Sequence, residues 1–216
     1  MDLALFVLRL VVGCYFAGHG AQKLWGAFGG HGPAGTGQFF ESLGLKPGRL
    51  HAQAAGWSEF LGGLLLVFGF LTPVAAVLII SVMTVAVLTI HGKNGPWVTD
   101  QGYEYNAVLV AVAFTLAASP GSWSLDNAFN LGSLHGTGAA IIALALGLFG
   151  GYLALTVGRS GRLAGAPPTP AQRAAEPTQA IPPQEREGRI VRDPQPTAPT
   201  TPVQTPSGVP SDPRDG

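Results

Sequence analysis

Eight polar side chains cluster near the ends of apolar runs. They are His19, Gln22 and Lys23 in "GHGAQKLW", Glu59 in "AGWSEFLGG", His91 in "LTIHGKNG", and Glu104, Tyr105 and Asn106 in "GYEYNAV". Histidine and carboxylate are the groups that move protons near neutral pH, while lysine, tyrosine and asparagine donate hydrogen bonds to an oxygen-bearing ligand. Brought together, they would wall a polar pocket, and a pocket alone does not name its ligand. Two charges, Arg9 and Glu59, stand inside apolar runs. A charge at mid-helix in lipid costs roughly 2.5–3.5 kcal/mol on insertion scales, so it faces a partner or a cavity. At helical spacing Arg9 shares a stripe with Gly13 and Ala17, and Glu59 shares one with Ala52, Gly56 and Gly63. Small residues let helices approach closely, so both charges are expected inside the bundle, either as a structural Arg9–Glu59 pair or with Glu59 serving the pocket as a ligand or proton group.

Other chemistries lack their residues. The sequence has no HExxH and no Cys/His cluster, so no metal site is expected. His19 and His91 are the one histidine pair within this polar cluster, and nothing else in the sequence supports haem as a cofactor. Walker and GxSxG motifs are absent. The glycines of "GAFGGHGPAGTG" lack the preceding strand of a phosphate loop; they read as a re-entrant loop leading to a short amphipathic helix around "TGQFFESLGL". Cys14 is the single cysteine, which excludes a dithiol couple, and its apolar surroundings predict a buried thiol.

The elements that must position these groups are apolar helices. Of 216 residues, 47% are hydrophobic and 11% charged, against about a quarter charged in soluble domains. Zero net charge gives no support for nucleic-acid binding. Five apolar segments stand out, at Leu3–Gly18, Ala52–Leu71, Val74–Ile90, Glu104–Ser119 and Thr137–Val157. A span needs about 20 mostly apolar residues, so the second, third and fifth qualify directly, and the first and fourth need their polar flanks. Lipid offers no partner to backbone groups, which makes helices the expected form. The fold class read from the sequence is therefore all-α, a transmembrane helical bundle. The first segment lacks the charged start and cleavage context of a signal peptide.

With five spans, Lys23, Lys46, Arg49, Lys93, Arg159 and Arg162 all fall on one side, which predicts an outside N-terminus and a cytoplasmic tail. The tail from Arg159 holds 13 of the 18 prolines and no aromatic residue, a composition expected to be disordered. By parity, the ends of segments one and three and the starts of two and four share one face. The eight polar residues above would then wall a single pocket there.

Several blocks in order resemble the DoxX family of small bacterial membrane proteins: "LRLVVGCYFAGHGAQKLWGAFGG", "GTGQFFESLGL", "AGWSEFLGGLLLVFGFLTPVAA", "HGKNGPW", "GYEYNAVLV" and "SPGSWSLDN". The resemblance runs from Leu8 to Asn127. It implies a four-helix membrane core over residues 1–127, beyond which a fifth helix (128–158) and the Pro-rich tail (159–216) depart from the short family form. It also implies the bacterial plasma membrane and a redox or oxidative-stress system with a protein partner, and it carries over Arg9, His19, Gln22, Lys23, Glu59, His91, Glu104, Tyr105, Asn106 and Asp126 as polar positions. Quinone is the cofactor or substrate this context suggests. A non-catalytic membrane scaffold and a small-molecule or proton-coupled transporter are the competing readings, and homo-oligomerisation is left open.

The charge asymmetry gives a direct test. Protease added outside intact cells should leave the tail uncut; cleavage of the tail under those conditions reverses the orientation.

Overall fold

The computed structural model describes residues 1–161; the Pro-rich tail and its expected disorder lie outside them. Among the described residues there is no strand. The main helices are α1 (Asp2–Trp25), α2 (Gly32–Ser42), α3 (Gly48–Phe68), α4 (Thr72–Ala86), α5 (Glu104–Ala118), the single-turn α6 (Leu125–Ala128) and α7 (Thr137–Arg159). Each of the five apolar segments is a helix, and the short helix after the glycine loop is α2. Past Ala86, α4 continues through a π turn at Val87–His91 and a 3₁₀ turn at Gly92–Asn94.

Among the described residues, three helices are long and apolar enough to cross a membrane: α1, α4 with its continuation to Asn94, and α7. Little of each is buried within the bundle. Apolar side chains such as Val7, Val11, Ile141, Ile142, Phe149 and Leu153 face outward, as expected of surface in contact with lipid. Cys14 is on that outer surface too, which corrects the expectation of a buried thiol. The run around it is apolar because it faces outward, not because it is core. The 21-residue α3 is more polar at its start, with Arg49, His51 and Gln53, and α5 is shorter at 15 residues.

Taken in chain order, the long helices α1, α3, α4, α5 and α7 alternate in direction. In the α1–α3 pair, Gly13 lies against Gly63 and Gly20 against Gly56, so the two helices run antiparallel. A Cβ on Gly13 would come 2.6 Å from the Gly63 carbonyl oxygen, so nothing larger fits between these backbones. Along α7, Gly147 meets Ile80 and Gly151 meets Thr84, which makes α4 and α7 parallel. Between them α5 returns in the opposite sense, with Asn106 beside Met83 and Ala117 beside His135. The Lys46 amide donates to the Gly158 carbonyl at 3.0 Å, tying the α2–α3 loop to the end of α7. Lys23, Lys46, Arg49, Lys93 and Arg159 thus gather at one end of the bundle.

At the opposite end, Asp126 binds the start of α4. The Leu71 amide donates to its Oδ1 at 2.7 Å, and the Thr72 amide and hydroxyl donate to Oδ2 at 3.0 and 2.9 Å. The two amides are helix-start donors that a helix cannot satisfy internally. The Asp126 amide in turn donates to the Gly69 carbonyl at 2.9 Å. Arg9 packs on the same turn, its guanidinium donating to the Trp123 carbonyl and lying 5.7 Å from the Phe6 ring centre. Gly69 is required here on two counts: its φ is +62°, and a side chain would collide with the Arg9 guanidinium. His135 Nε2 stands 3.2 Å from Asp126 Oδ2, without hydrogen-bond geometry. Asp126 is therefore a structural residue, remote from the candidate site.

Removing that carboxylate strands buried amides. Asp126→Ala should lower stability by about 1–3 kcal/mol per donor left unpaired, read as an earlier melting transition in detergent. An unchanged transition would mean that the α4 start is held by other contacts.

Candidate functional site

A cleft of about 340 Å³ opens at the end of the bundle that carries the basic residues. Its polar walls are His19 and Lys23 from α1, Glu59 from α3, His91 from the continuation of α4, and Tyr105 and Asn106 from α5; Tyr15, Phe16, Met83 and Leu109 supply its apolar lining. Four helices thus contribute polar side chains, and six of the eight candidates meet.

The cleft centres on an ion pair. Lys23 Nζ donates to Glu59 Oε2, with Glu59 4% exposed and the lysine side chain more open, at 23%. This corrects the expected Arg9–Glu59 pair. Arg9 lies 14 residues before Lys23 on the same helix, about 21 Å along its axis at 1.5 Å per residue. Helical side chains lean towards their own N-terminus. In antiparallel α1 and α3, that lean carries Arg9 and Glu59 apart and brings Lys23 and Glu59 together.

The histidines are oriented by what their Nδ1 atoms meet. His91 Nδ1 lies 2.8 Å from the Gln101 carbonyl oxygen, which only accepts, so this nitrogen carries the proton. His19 Nδ1 lies 3.0 Å from Gln22 Oε1. Because the Gln22 amide nitrogen donates to the Phe28 carbonyl at 3.4 Å, its oxygen is the atom turned to His19, and Nδ1 again holds the proton. In the Nδ1–H tautomer of each ring Nε2 is left as an acceptor. Gln22 is then a positioning residue, not part of the cleft wall. Asn106, 5% exposed, donates from Nδ2 to Met83 Sδ at 3.3 Å.

Two sequence expectations change. Glu104 is not among the residues lining the cleft. It opens α5, with its amide donating to the Pro96 carbonyl at 2.8 Å, and a carboxylate in a first helical turn already complements the helix dipole. Helical spacing along the third apolar segment puts Ser81, Thr84 and His91 on a single stripe, yet they do not form one wall either. The Ser81 hydroxyl donates to the Val77 and Gly147 carbonyls, at 2.8 and 3.1 Å, and Thr84 packs on Gly151, so both belong to the α7 interface. The π turn between them and His91 rotates the chain out of α-helical phase and brings the imidazole to the cleft. Met83 and Tyr15 were not foreseen, since apolar and aromatic residues inside a span carry no signal that separates cleft from lipid.

The DoxX family profile matches residues 4–92, from α1 to the end of the π turn. The chain is 30% identical over 118 residues to "Putative oxidoreductase CatD" of Bacillus subtilis (strain 168), an alignment spanning 55% of this chain and 81% of that protein. The chain belongs to the DoxX family. A second relative, "Uncharacterized membrane protein Rv3486" of Mycobacterium tuberculosis (strain ATCC 25618 / H37Rv), is 33% identical over 130 residues, covering 55% of this chain and 77% of that one. No solved structure matches the chain. As a DoxX protein, the chain carries His19, Lys23, Glu59 and His91 within the matched region, while Tyr105 and Asn106 come from α5 beyond it.

The ion pair makes a thermodynamic prediction. Lys23→Met and Glu59→Gln should each destabilise the protein, by up to about 3–5 kcal/mol, and the double variant should recover much of the loss. Arg9→Met combined with Glu59→Gln should instead be additive. Unfolding in detergent measures both cycles; additivity in the first and recovery in the second would restore the Arg9–Glu59 pairing.

Proposed function

We propose that this DoxX protein is the membrane subunit of a redox system and binds a quinone head group in the cleft. The observation that carries the reading is the meeting of His19, Lys23, Glu59, His91, Tyr105 and Asn106 around one volume at the end of a lipid-facing bundle. A quinone ring enters from the bilayer, and its carbonyl oxygens need donors. Lys23 and the Tyr105 hydroxyl are donors, and an imidazole becomes one once its Nε2 is protonated. Reduction takes two electrons and two protons to form the hydroquinone. The histidine Nε2 atoms and Glu59 are the groups that hold and pass those protons. The electrons come from a partner protein, consistent with the oxidoreductase name of the Bacillus relative.

The orientation belongs to the same proposal. The cleft lies at the end rich in lysine and arginine, and the positive-inside rule makes that end cytoplasmic in a bacterial plasma membrane. The electron donor would then dock from the cytoplasm.

The purified protein in lipid nanodiscs should bind a naphthoquinone, and Tyr105→Phe or His91→Ala should weaken binding by about 5–30-fold, the loss of one hydrogen bond worth about 1–2 kcal/mol. Their melting transitions should stay unchanged. Absence of quinone binding by the wild type, or wild-type affinity in both variants, would overturn the proposal in favour of a scaffold.

A further inference from the structure

A second cavity, of about 320 Å³, lies against the cleft and shares Lys23, Glu59, Met83 and Ala86 with it. Its character is opposite. Phe40, Leu43 and Leu45 wall it from α2 and the loop that follows, Val82 and Val85 from α4, and Ala154 from α7. Along α3 its wall is the stripe His51, Ala54, Ala55, Ser58 and Glu59, spaced i, i+3, i+4, i+7 and i+8. That stripe is about 12 Å long at 1.5 Å per residue. The room exists because Ala54, Ala55 and Ala154 are small where three helices face one another. Phe39, at the rim, is 49% exposed, so the chamber is open to the outside there.

Two of the hydroxyls in the chamber wall are already engaged by backbone. Ser81 donates to the Val77 and Gly147 carbonyls, and Thr89 donates to the Val85 carbonyl at 2.7 Å. At the junction with the cleft stand the ion pair and Met83, whose unbranched thioether adapts its shape readily. A ligand crossing that junction meets a polar half and an apolar half in succession.

We propose that this chamber binds the hydrocarbon chain of a long-chain amphiphile whose polar head lies in the cleft, with Lys23–Glu59 marking the boundary between the two. If the quinone reading holds, the ligand is an isoprenoid quinone; the proposal rests on that reading only for the identity of the head. Lipid is as apolar as the chamber, so the seat gains little from hydrophobic transfer. Its effect is positional. A held chain keeps the head beside the ion pair at high effective concentration and selects chain-bearing ligands over chainless ones.

The test uses the full-length protein in nanodiscs and a long-chain alcohol carrying a mid-chain diazirine, followed by photolysis and peptide mapping. Adducts are expected on Leu43, Val82 and Val85. Ala55→Phe, which fills the chamber from α3, and Ala154→Phe, which fills it from α7, should each cut those adducts at least 10-fold. A naphthoquinone with an isoprenoid chain should compete for labelling, and its chainless counterpart should not. If no chamber residue is labelled, or both folded variants label like wild type, the proposal is overturned, whatever quinone does in the cleft. Chamber labelling that no quinone displaces would uphold the chain site and overturn the quinone reading instead. Should either variant fail to fold, the wild-type adduct map and the competition by chain-bearing quinone still decide the matter.

Discussion

A carboxylate held inside a lipid-facing bundle needs a positive charge within reach, and the rest of this structure follows from how Glu59 obtains one. Lys23 reaches it because α1 and α3 meet at Gly13, Gly20, Gly56 and Gly63, where the backbones touch without intervening side chains. The antiparallel arrangement matters as much as the closeness, since it turns the lean of both side chains towards a common point. Had the two helices run parallel, the same residues would lean in the same direction and the pair would depend on register alone. The ion pair then becomes the wall between a polar cleft and an apolar chamber, so one packing constraint sets the position of both.

The two ends of the bundle treat polar groups differently. At the Asp126 end, one carboxylate receives three donors from the start of α4, and Arg9 and Gly69 close over the same turn. Those interactions terminate and join helices. At the other end, His19 and His91 use Nδ1 to fix the ring and leave Nε2 uncommitted, while Tyr105 is exposed. Groups whose bonds are complete stabilise; groups with a free acceptor or donor facing a cavity are available to a ligand. The Asp126 carboxylate is of the first kind and the cleft imidazoles are of the second, although Arg9 Nε and Nη1 and His135 Nε2 at the Asp126 end also lack a hydrogen-bond partner.

The helices and their small-residue faces are legible in the chain, because both depend on residues three and four positions apart. The sequence sufficed for five apolar helices, for the short helix after the glycine loop, for the membrane class and for the resemblance to the DoxX family. The matching glycine spacing, seven residues in α1 and seven in α3, is the local trace of their contact.

Which side chains meet depends on how the helices pack. Glu59 was legible as a buried charge, yet its partner depended on the direction and register of α1 against α3, which no periodicity within either helix encodes. A π turn took His91 off the Ser81–Thr84 face, and one extra residue in a turn leaves no composition signal. Glu104 and Tyr105 are adjacent in sequence, but about 100° of helical rotation separates them, and only Tyr105 reaches the cleft. Cys14 shows the same limit from the other side: in lipid, outward and inward faces are both apolar, so hydrophobicity marks a span without saying which of its residues are core.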